Sequence, residues 1–347
     1  MRKLLVIIII AVIIITISWL GYLAWQKLNN TGVIIKQETR ADTEQKTIND
    51  EQQKLIRLTE NSIANFWISA TSSQVFLINY DGKIEKLESL KTKTIVSENG
   101  LKNISQVISS PDGSKALINL TIFDSATNLW TSLPVGTTSA AWNPSLSSGP
   151  SVPKIAYLTN DGIYNLNLKD GKTSLVLKLN NRDWQISWPF ADEIYLNRES
   201  SWKVNLKDKT LIQVPNIIWS KAGWGIDLDN LSIVDKARKK LVDLEYLIPG
   251  KEFNILPPKC LVAENGFYCA VPNQDEVTLD DYLKRKVYTN DNFYFVSINT
   301  ETKKTQVKLL LRADDNNPVD ATNLALYKDK LLFINRFDQR LYSLELK

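Results

Sequence analysis

Residues 163–179 read IYNLNLKDGKTSLVLKL, in which two segments of alternating apolar and polar residues flank the dipeptide Asp170-Gly171. A period of two is typical of a half-buried strand, and an Asp-Gly pair supplies the positive φ angles of a tight reversal. The stretch therefore predicts a β-hairpin. This hairpin is a repeated unit, because related strand-turn-strand stretches begin at Trp202, Ser232 and Phe295.

The repeat covers the chain from about Leu55 onward, where short β-branched and aromatic runs alternate with turn dipeptides. Units recur at intervals of 30 to 65 residues, a period typical of β-propellers. A four-stranded unit cannot bury its own hydrophobic face, so such units pack around an axis. We therefore predict an all-β fold, a β-propeller of about seven four-stranded blades over residues 54–347. The first strands are expected near Ile63, Ile104, Ser139, Trp184, Val214, Leu256 and Ala321.

The last of these units contains only three strands, TNLALY, KLLFINR and RLYSLEL. The segment KLIRL, residues 54–58, can supply the fourth. Such pairing of the two ends of the domain hides strand edges that would otherwise be exposed. The sequence thus predicts ring closure between the two ends of residues 54–347.

The first 27 residues predict a membrane anchor. Arg2 and Lys3 precede an apolar run from Leu4 to Leu23 that contains no charge and is long enough to span a bilayer. The run is too long for the core of a cleaved signal peptide, and a buried core helix of this length would have a polar face. The positive charges keep the amino terminus in the cytoplasm. We expect a single-pass protein of the cell membrane with its propeller outside the cytoplasm.

Residues 28–53 are expected to form a polar stalk. Between Lys36 and Lys54 the only apolar residues are Ala41 and Ile48. Such a segment cannot bury a face, which favours a partly helical or disordered linker. A coiled-coil stalk would require apolar heptads that this sequence lacks.

The composition excludes several classes of site. Removing Arg2, Lys3 and Lys27 from the 42 basic residues leaves 39 against 38 acidic ones, so nucleic-acid binding is not expected. The chain has no histidine, which removes Ser-His-Asp and Cys-His catalysis, and two cysteines are too few for a thiolate zinc site. We expect no cofactor and no metal.

The stretch ISSPDGSKALI, residues 108–118, resembles the W-S-P-D-G-x-x-I/L signature of TolB-type and related WD40-like propellers, with Ser109 in the place of the tryptophan. Degenerate copies resemble it at Trp142-Asn143-Pro144, Trp188-Pro189 and Trp219-Ser220. The chain also resembles membrane-anchored propeller proteins of bacteria. The resemblance implies a ring that binds proteins or acts as a scaffold, and it carries no catalytic residues.

The signature turn has a structural role. Pro111 fixes φ, Asp112 accepts hydrogen bonds from following amides, and Gly113 takes a positive φ. The eight tryptophans of the predicted propeller are expected to fill the core between blades, and a sugar or quinone stacked on them is the alternative. They are Trp67, Trp130, Trp142, Trp184, Trp188, Trp202, Trp219 and Trp224.

The two cysteines, Cys260 and Cys269, flank a predicted turn. A turn at Asn265-Gly266 places them one diagonal step apart, whereas a turn centred on Glu264 and Asn265 pairs them directly. We expect a structural disulfide, which an outward-facing compartment permits. Two buried free thiols are the alternative, and the spacing does not match the C-x-x-C redox motif.

One insertion, residues 272–290, interrupts the blade rhythm between a second and a third strand. Thr278, three residues before Asp281, can cap a short helix there. Loops of this type share a face with the blade-to-blade loops, where partners dock. We therefore predict a partner-binding surface formed by Asp280, Asp281, Tyr282, Lys284 and Arg285. The alternative is a variable solvated loop without a partner.

The sequence leaves two functions open. The first is a non-catalytic, membrane-anchored scaffold outside the cytoplasm that binds an envelope protein or peptide. The second is a carboxylate-dependent glycan-active enzyme, a hydrolase or lyase, with its site at the mouth of the channel, because paired acids need no histidine. No Asp/Glu pair stands out from turn and surface positions, which favours the scaffold. A membrane sensor is a third idea, and it would need a partner because only residues 1–3 lie inside.

Overall fold

The computed structural model describes residues 55–69, 72–88, 90, 92–98, 100–144, 154–180, 183–198, 200–219, 224–227, 232–235, 240–243, 255–263, 266–274, 277–299 and 304–346. The predicted anchor at residues 1–27 and the predicted stalk at residues 28–53 lie outside these ranges. Across the ranges that are described, no helix has the length and apolar character needed to cross a membrane.

The described strands form seven antiparallel sheets of four strands each, numbered 1 to 7 in chain order. Sheet 1 contains β2 (Asn65–Ser69), β3 (Gln74–Ile78), β4 (Ile84–Glu88) and β5 (Thr92–Ser97). Sheet 2 contains β6 (Val107–Ser109), β7 (Lys115–Ile118), β8 (Thr121–Asp124) and β9 (Leu129–Ser132). Sheet 3 contains β10 (Ser139–Trp142), β11 (Lys154–Leu158), β12 (Gly162–Asn167) and β13 (Thr173–Lys178). Sheet 4 contains β14 (Gln185–Phe190), β15 (Glu193–Asn197), β16 (Ser201–Asn205) and β17 (Leu211–Val214).

The remaining sheets follow the same pattern, except that sheet 7 combines the last three strands of the chain with the first. Sheet 5 contains β18 (Ile217–Trp219), β19 (Trp224–Asp227), β20 (Ser232–Asp235) and β21 (Lys240–Asp243). Sheet 6 contains β22 (Cys260–Ala263), β23 (Gly266–Pro272), β24 (Asp291–Asn299) and β25 (Lys304–Leu311). Sheet 7 contains β26 (Ala321–Tyr327), β27 (Lys330–Asn335), β28 (Arg340–Glu345) and β1 (Leu55–Arg57). The first strand of every sheet begins no more than four residues from its predicted start.

The predicted ring closure is confirmed. β1 pairs antiparallel with β28, with Leu55 opposite Leu344 and Arg57 opposite Tyr342. The pairing continues past the strand, since the Leu58 amide donates to the Leu341 carbonyl at 2.8 Å. The chain therefore covers the outer edge of its last sheet with its first described strand.

The hydrophobic core lies between neighbouring sheets. Trp67 of sheet 1 packs edge-on against Phe123 of sheet 2 with ring centroids 6.1 Å apart, and Phe293 of sheet 6 packs on Phe333 of sheet 7 at 4.9 Å. Buried side chains of sheets 7 and 1 also share one cluster, in which Ile63 contacts the group around Leu332. Most second strands are covered on both faces and are therefore apolar at nearly every position, as in QVFLI of β3.

The tryptophans agree with the core prediction wherever their side chains are described. Trp67, Trp142 and Trp188 are buried. Trp130, Trp184 and Trp202 are partly buried against the same clusters. The side chains of Trp219 and Trp224 lie outside the described residues.

Strand direction divides the connections between two faces. In each sheet the second and fourth strands run the same way, so the loop between second and third strands shares a face with the connection to the next sheet. For sheets 6 and 7 this face, called the loop face, carries residues 273–274, 277–290, 312–320 and 336–339. The turns between first and second strands lie on the opposite face.

The turn at residues 110–114 has the predicted geometry. Asp112 accepts hydrogen bonds from the Ser110 hydroxyl at 2.5 Å and the Ser114 hydroxyl at 2.8 Å, and Gly113 has a φ of 67°. Burial on its own raises the pKa of the Asp112 carboxyl, but these hydrogen bonds outweigh it and hold the pKa below its usual value. A carboxyl with a lowered pKa in the folded state stabilises the fold above its unfolded pKa and loses that effect as pH falls through the folded pKa.

We expect Asp112→Asn to lower the free energy of unfolding at pH 7 by about 1 kcal/mol, because charge-assisted hydrogen bonds are lost. The difference from the wild type should shrink as the pH approaches 3, which urea unfolding at both pH values measures. Asp170→Asn is the control, since Asp170 lies in an exposed turn, where it accepts from the Lys172 amide at 3.1 Å and contacts the Lys172 ammonium at 3.8 Å. A deficit that stays constant between the two pH values would contradict this role for the Asp112 charge.

Candidate functional site

The predicted cysteine pair lies at the start of sheet 6. Cys260 on β22 is directly opposite Cys269 on β23, and the two are joined by a disulfide with 4.2 Å between their Cα atoms. Ala263 is opposite Gly266. This is the register of a turn centred on residues 264 and 265, which themselves lie outside the described residues.

The predicted insertion contains a short helix, α1 (Leu279–Leu283). The Thr278 hydroxyl oxygen accepts a hydrogen bond from the Asp281 amide at 3.1 Å, so the predicted cap is confirmed. Lys284 closes the helix and Arg285 follows with a φ of 56°. The insertion is therefore an ordered element wherever it is described.

Three charged residues of the predicted surface, Asp280, Asp281 and Lys284, form ion pairs. Lys284 contacts Asp280 at 2.8 Å and Lys286 contacts Asp281 at 3.2 Å. The Thr278 hydroxyl, together with Lys286, holds the pKa of Asp281 below its usual value. Since these pairs are exposed, each contributes little to stability. With the exposed Arg285 included, residues 280–286 carry three basic and two acidic side chains, a net charge of +1.

The prediction of Tyr282 as a surface residue is wrong. The Tyr282 side chain is buried. Among the other residues of the predicted surface, Asp280, Lys284 and Arg285 are exposed and Asp281 is partly exposed. The ring centroid lies 4.8 Å from the Lys259 Nζ atom and 4.4 Å from the Arg336 guanidinium carbon. An aromatic face attracts cations, so Tyr282 anchors α1 to the body of the protein.

Beneath Tyr282 lies a buried ion cluster that the sequence analysis missed. The Lys259 ammonium, fully buried, contacts the Asp291 carboxylate at 2.7 Å and the Asp320 carboxylate at 2.6 Å, and donates to the Thr289 hydroxyl at 2.5 Å. Arg336 contacts Asp320 at 3.3 Å. Two cations thus face two carboxylates, which makes the burial of four charges tolerable. These five residues are called the Lys259 cluster.

The Lys259 cluster joins sheets 6 and 7 on the loop face. Lys259 ends the 3-10 turn Pro257–Lys259 that leads into β22, and Asp291 begins β24. Asp320 directly precedes β26, and Arg336 directly follows β27. The Asp291 carboxylate also accepts from the Ala321 amide at 2.7 Å, across the boundary between the two sheets.

Above the cluster, three aromatic side chains are exposed. Tyr288 and Phe337, which are 55% and 47% exposed, stack with centroids 5.2 Å apart and an angle of 21°. Tyr80, 53% exposed, donates its hydroxyl hydrogen to Gln339 at 2.9 Å. Tyr80, Tyr288 and Phe337, called the aromatic patch, lie in loops of sheets 1, 6 and 7 on the loop face.

The described residues contain no group of three or more His, Cys, Asp or Glu side chains arranged to hold a metal ion. The two carboxylates of the Lys259 cluster, Asp291 and Asp320, are buried and both contact Lys259.

Comparison with known proteins identifies the architecture. No protein-family model and no curated protein sequence matches the chain. Among solved structures, that of U3-55K matches 85% of this chain and 99% of its own at 10% identity and a TM-score of 0.53. The C-terminal WD40 domain of Sif2 matches 84% and 98% at 8% identity and 0.54. The fold is a WD40-like β-propeller. An oligogalacturonate lyase in complex with manganese also matches, covering 84% of this chain and 93% of its own at 13% identity and 0.51. Identities this low establish the fold of the propeller alone.

Proposed function

We propose that the chain is a membrane-anchored, non-catalytic propeller outside the cytoplasm that binds an envelope protein or peptide through its loop face. The observation that carries this proposal is the aromatic patch, whose rings are exposed and yet fixed by contacts beneath them. The resemblance of residues 108–118 to the TolB-type signature supports the further proposal that this propeller is TolB-like. The interaction of residues 1–27 with the membrane belongs to the same proposal.

The composition of the loop face suits a protein partner. Tyrosine, phenylalanine and arginine are enriched at the centres of protein interfaces, and a polar rim surrounds them. Here the Arg336 guanidinium lies 5.1 Å from the Tyr288 ring, and the neighbouring insertion carries two exposed ion pairs. A weakly charged surface of this kind favours an uncharged segment with an apolar anchor residue over a highly charged partner.

The disulfide supports a location outside the cytoplasm. Such bonds persist in oxidising compartments and are rare where thiols are kept reduced. The charge placement in residues 1–27 gives the same orientation.

The alternative function is a carboxylate-dependent glycan-active enzyme. Its support is the oligogalacturonate lyase among the similar structures. We favour the scaffold because the two buried acids of the Lys259 cluster, Asp291 and Asp320, are neutralised by Lys259 and Arg336 and are shielded from solvent. Turnover of a glycan by the purified chain would select the alternative.

Tyr288→Ala combined with Phe337→Ala should reduce partner capture at least tenfold, because truncating two central aromatic residues costs more than 1 kcal/mol each. The measurement is in-cell cross-linking of the full chain, followed by purification and quantitative mass spectrometry. Point variants are preferable to deletion of residues 272–290, which would also remove Thr289 from the Lys259 cluster.

The matched control is Leu129→Ala combined with Leu175→Ala. These side chains are 64% and 50% exposed on the outer strands of sheets 2 and 3. Equal capture of the same protein by wild type, test variant and control would refute binding through the aromatic patch. The absence of any reproducible partner would refute the scaffold.

A further inference from the structure

The disulfide and the Lys259 cluster share one short segment of backbone. Lys259 directly precedes Cys260, and its amide donates to the Leu256 carbonyl at 2.8 Å. β22 pairs with β23 over four residues only, beginning with the two cysteines. The disulfide therefore joins β23 to Cys260, the first residue of β22, which directly follows Lys259.

The same cluster fixes the elements that carry the aromatic patch. Lys259 holds the Thr289 hydroxyl, and Thr289 is the residue after Tyr288. Arg336 lies near the rings of Tyr282 and Tyr288, and it is the residue before Phe337. The Thr289 amide donates to Asp320 at 3.1 Å, which adds a bond from the insertion to sheet 7. A continuous set of contacts thus connects Cys260 to both stacked rings.

We propose that the Cys260–Cys269 disulfide regulates the docking face, so that reduction loosens Lys259 and releases residues 277–290 from sheet 7. The inference rests on the proposed function for its biological meaning, although its structural part can be measured without a partner. With the disulfide intact the aromatic patch is preorganised, and a preorganised surface loses less conformational entropy on binding. After reduction, the conformational entropy of these residues is lost only when the partner binds, which weakens binding.

The reductant is a dithiol. Its first thiolate attacks the sulfur of Cys260, which is partly exposed, and the sulfur of Cys269, which is fully buried, leaves as a thiolate and takes up a proton. Its second thiolate then attacks the mixed disulfide and releases Cys260. Two electrons pass from the dithiol to the protein, and the dithiol becomes a disulfide.

Hydrogen exchange of the full chain, oxidised or reduced with dithiothreitol, tests the proposal. Titration should find two thiols after reduction, since the chain has two cysteines. We expect the Tyr282, Lys284 and Thr289 amides, which are hydrogen bonded in the structure, to exchange about 10- to 100-fold faster, because the loss of a short disulfide loop changes local opening by about this factor. The Asn167 and Gly171 amides of a sheet 3 turn are controls that should not change.

Cys260→Ser combined with Cys269→Ser should reproduce the faster exchange without a reductant. Unchanged exchange at residues 277–290 in both the reduced protein and this variant would overturn the regulation, as would equal acceleration at the sheet 3 controls. If exchange is unchanged but partner capture still depends on Tyr288 and Phe337, the regulation is refuted and the proposed scaffold function is retained. Faster exchange at the insertion in a chain that captures no partner would instead refute the scaffold and retain the disulfide effect.

Discussion

Replacing Lys259 with methionine should lower the free energy of unfolding by about 3 to 5 kcal/mol, as breaking a buried ion pair from one side does in other proteins. Lys259 Nζ contacts both Asp291 and Asp320, and its side chain is fully buried. After substitution the two carboxylates would face Arg336 alone, so one negative charge would be buried without a counter-charge. Urea unfolding of the full chain measures the loss.

Two further variants isolate the charge from the packing. Asp291→Asn on the Lys259→Met background leaves Asp320 paired with Arg336, so the double variant should lose less than the sum of the single losses. Lys330→Met is the matched surface control, because its contact with Glu345 at 2.7 Å is partly solvated and should contribute 1 kcal/mol or less. A Lys259 variant no less stable than the Lys330 variant would contradict the buried-charge account.

The repeated hairpins of the ring could be predicted because the residues that specify each hairpin are close together in the sequence. Alternating residues on either side of Asp170-Gly171 define a hairpin without reference to any other part of the chain, and the same pattern recurs. The pairing of β1 with β28 could also be predicted, since the last unit lacked a strand and residues 54–58 had no other place. The period of the repeat predicted about seven blades and left the exact number open, because the unit that begins near Val214 is short and weakly patterned; the described strands form seven sheets.

The loop face could be predicted only in part. The insertion and the Thr278 cap have local sequence signals. A five-residue helix is too short for its buried side to be identified from periodicity, so the sequence does not show that the Tyr282 side chain is buried. Lys259 and Asp320 each flank an apolar strand, where a charge is ordinarily solvated. Their contact joins residues 61 positions apart and exists only because sheets 6 and 7 pack together. The stacking of Tyr288 on Phe337 depends on the same packing.

Deleting residues 54–58 should lower the free energy of unfolding by about 4 kcal/mol and the melting temperature by about 10 °C. The deletion removes β1 and the Leu58 amide bond to Leu341. It also uncovers Ser343 and Leu344, which are buried beneath β1 in the closed ring. The unpaired edge of β28 would then be open to solvent and to pairing with other chains. Calorimetry and sedimentation of the full chain carrying this deletion measure both effects.

Ile56→Thr combined with Arg57→Thr separates strand pairing from side-chain identity. Both side chains are exposed in β1, and threonine favours strands, so this control should melt within about 2 °C of the wild type. A deletion variant that melts with this control would show that β1 contributes nothing to ring closure. If the deletion variant melts early but stays monomeric, β1 stabilises the domain by closing the ring but does not protect the edge of β28 from other chains. The expected outcome is both early melting and self-association, because the hydrogen bonds that β1 supplies are the ones that keep the edge of β28 unavailable to a second chain.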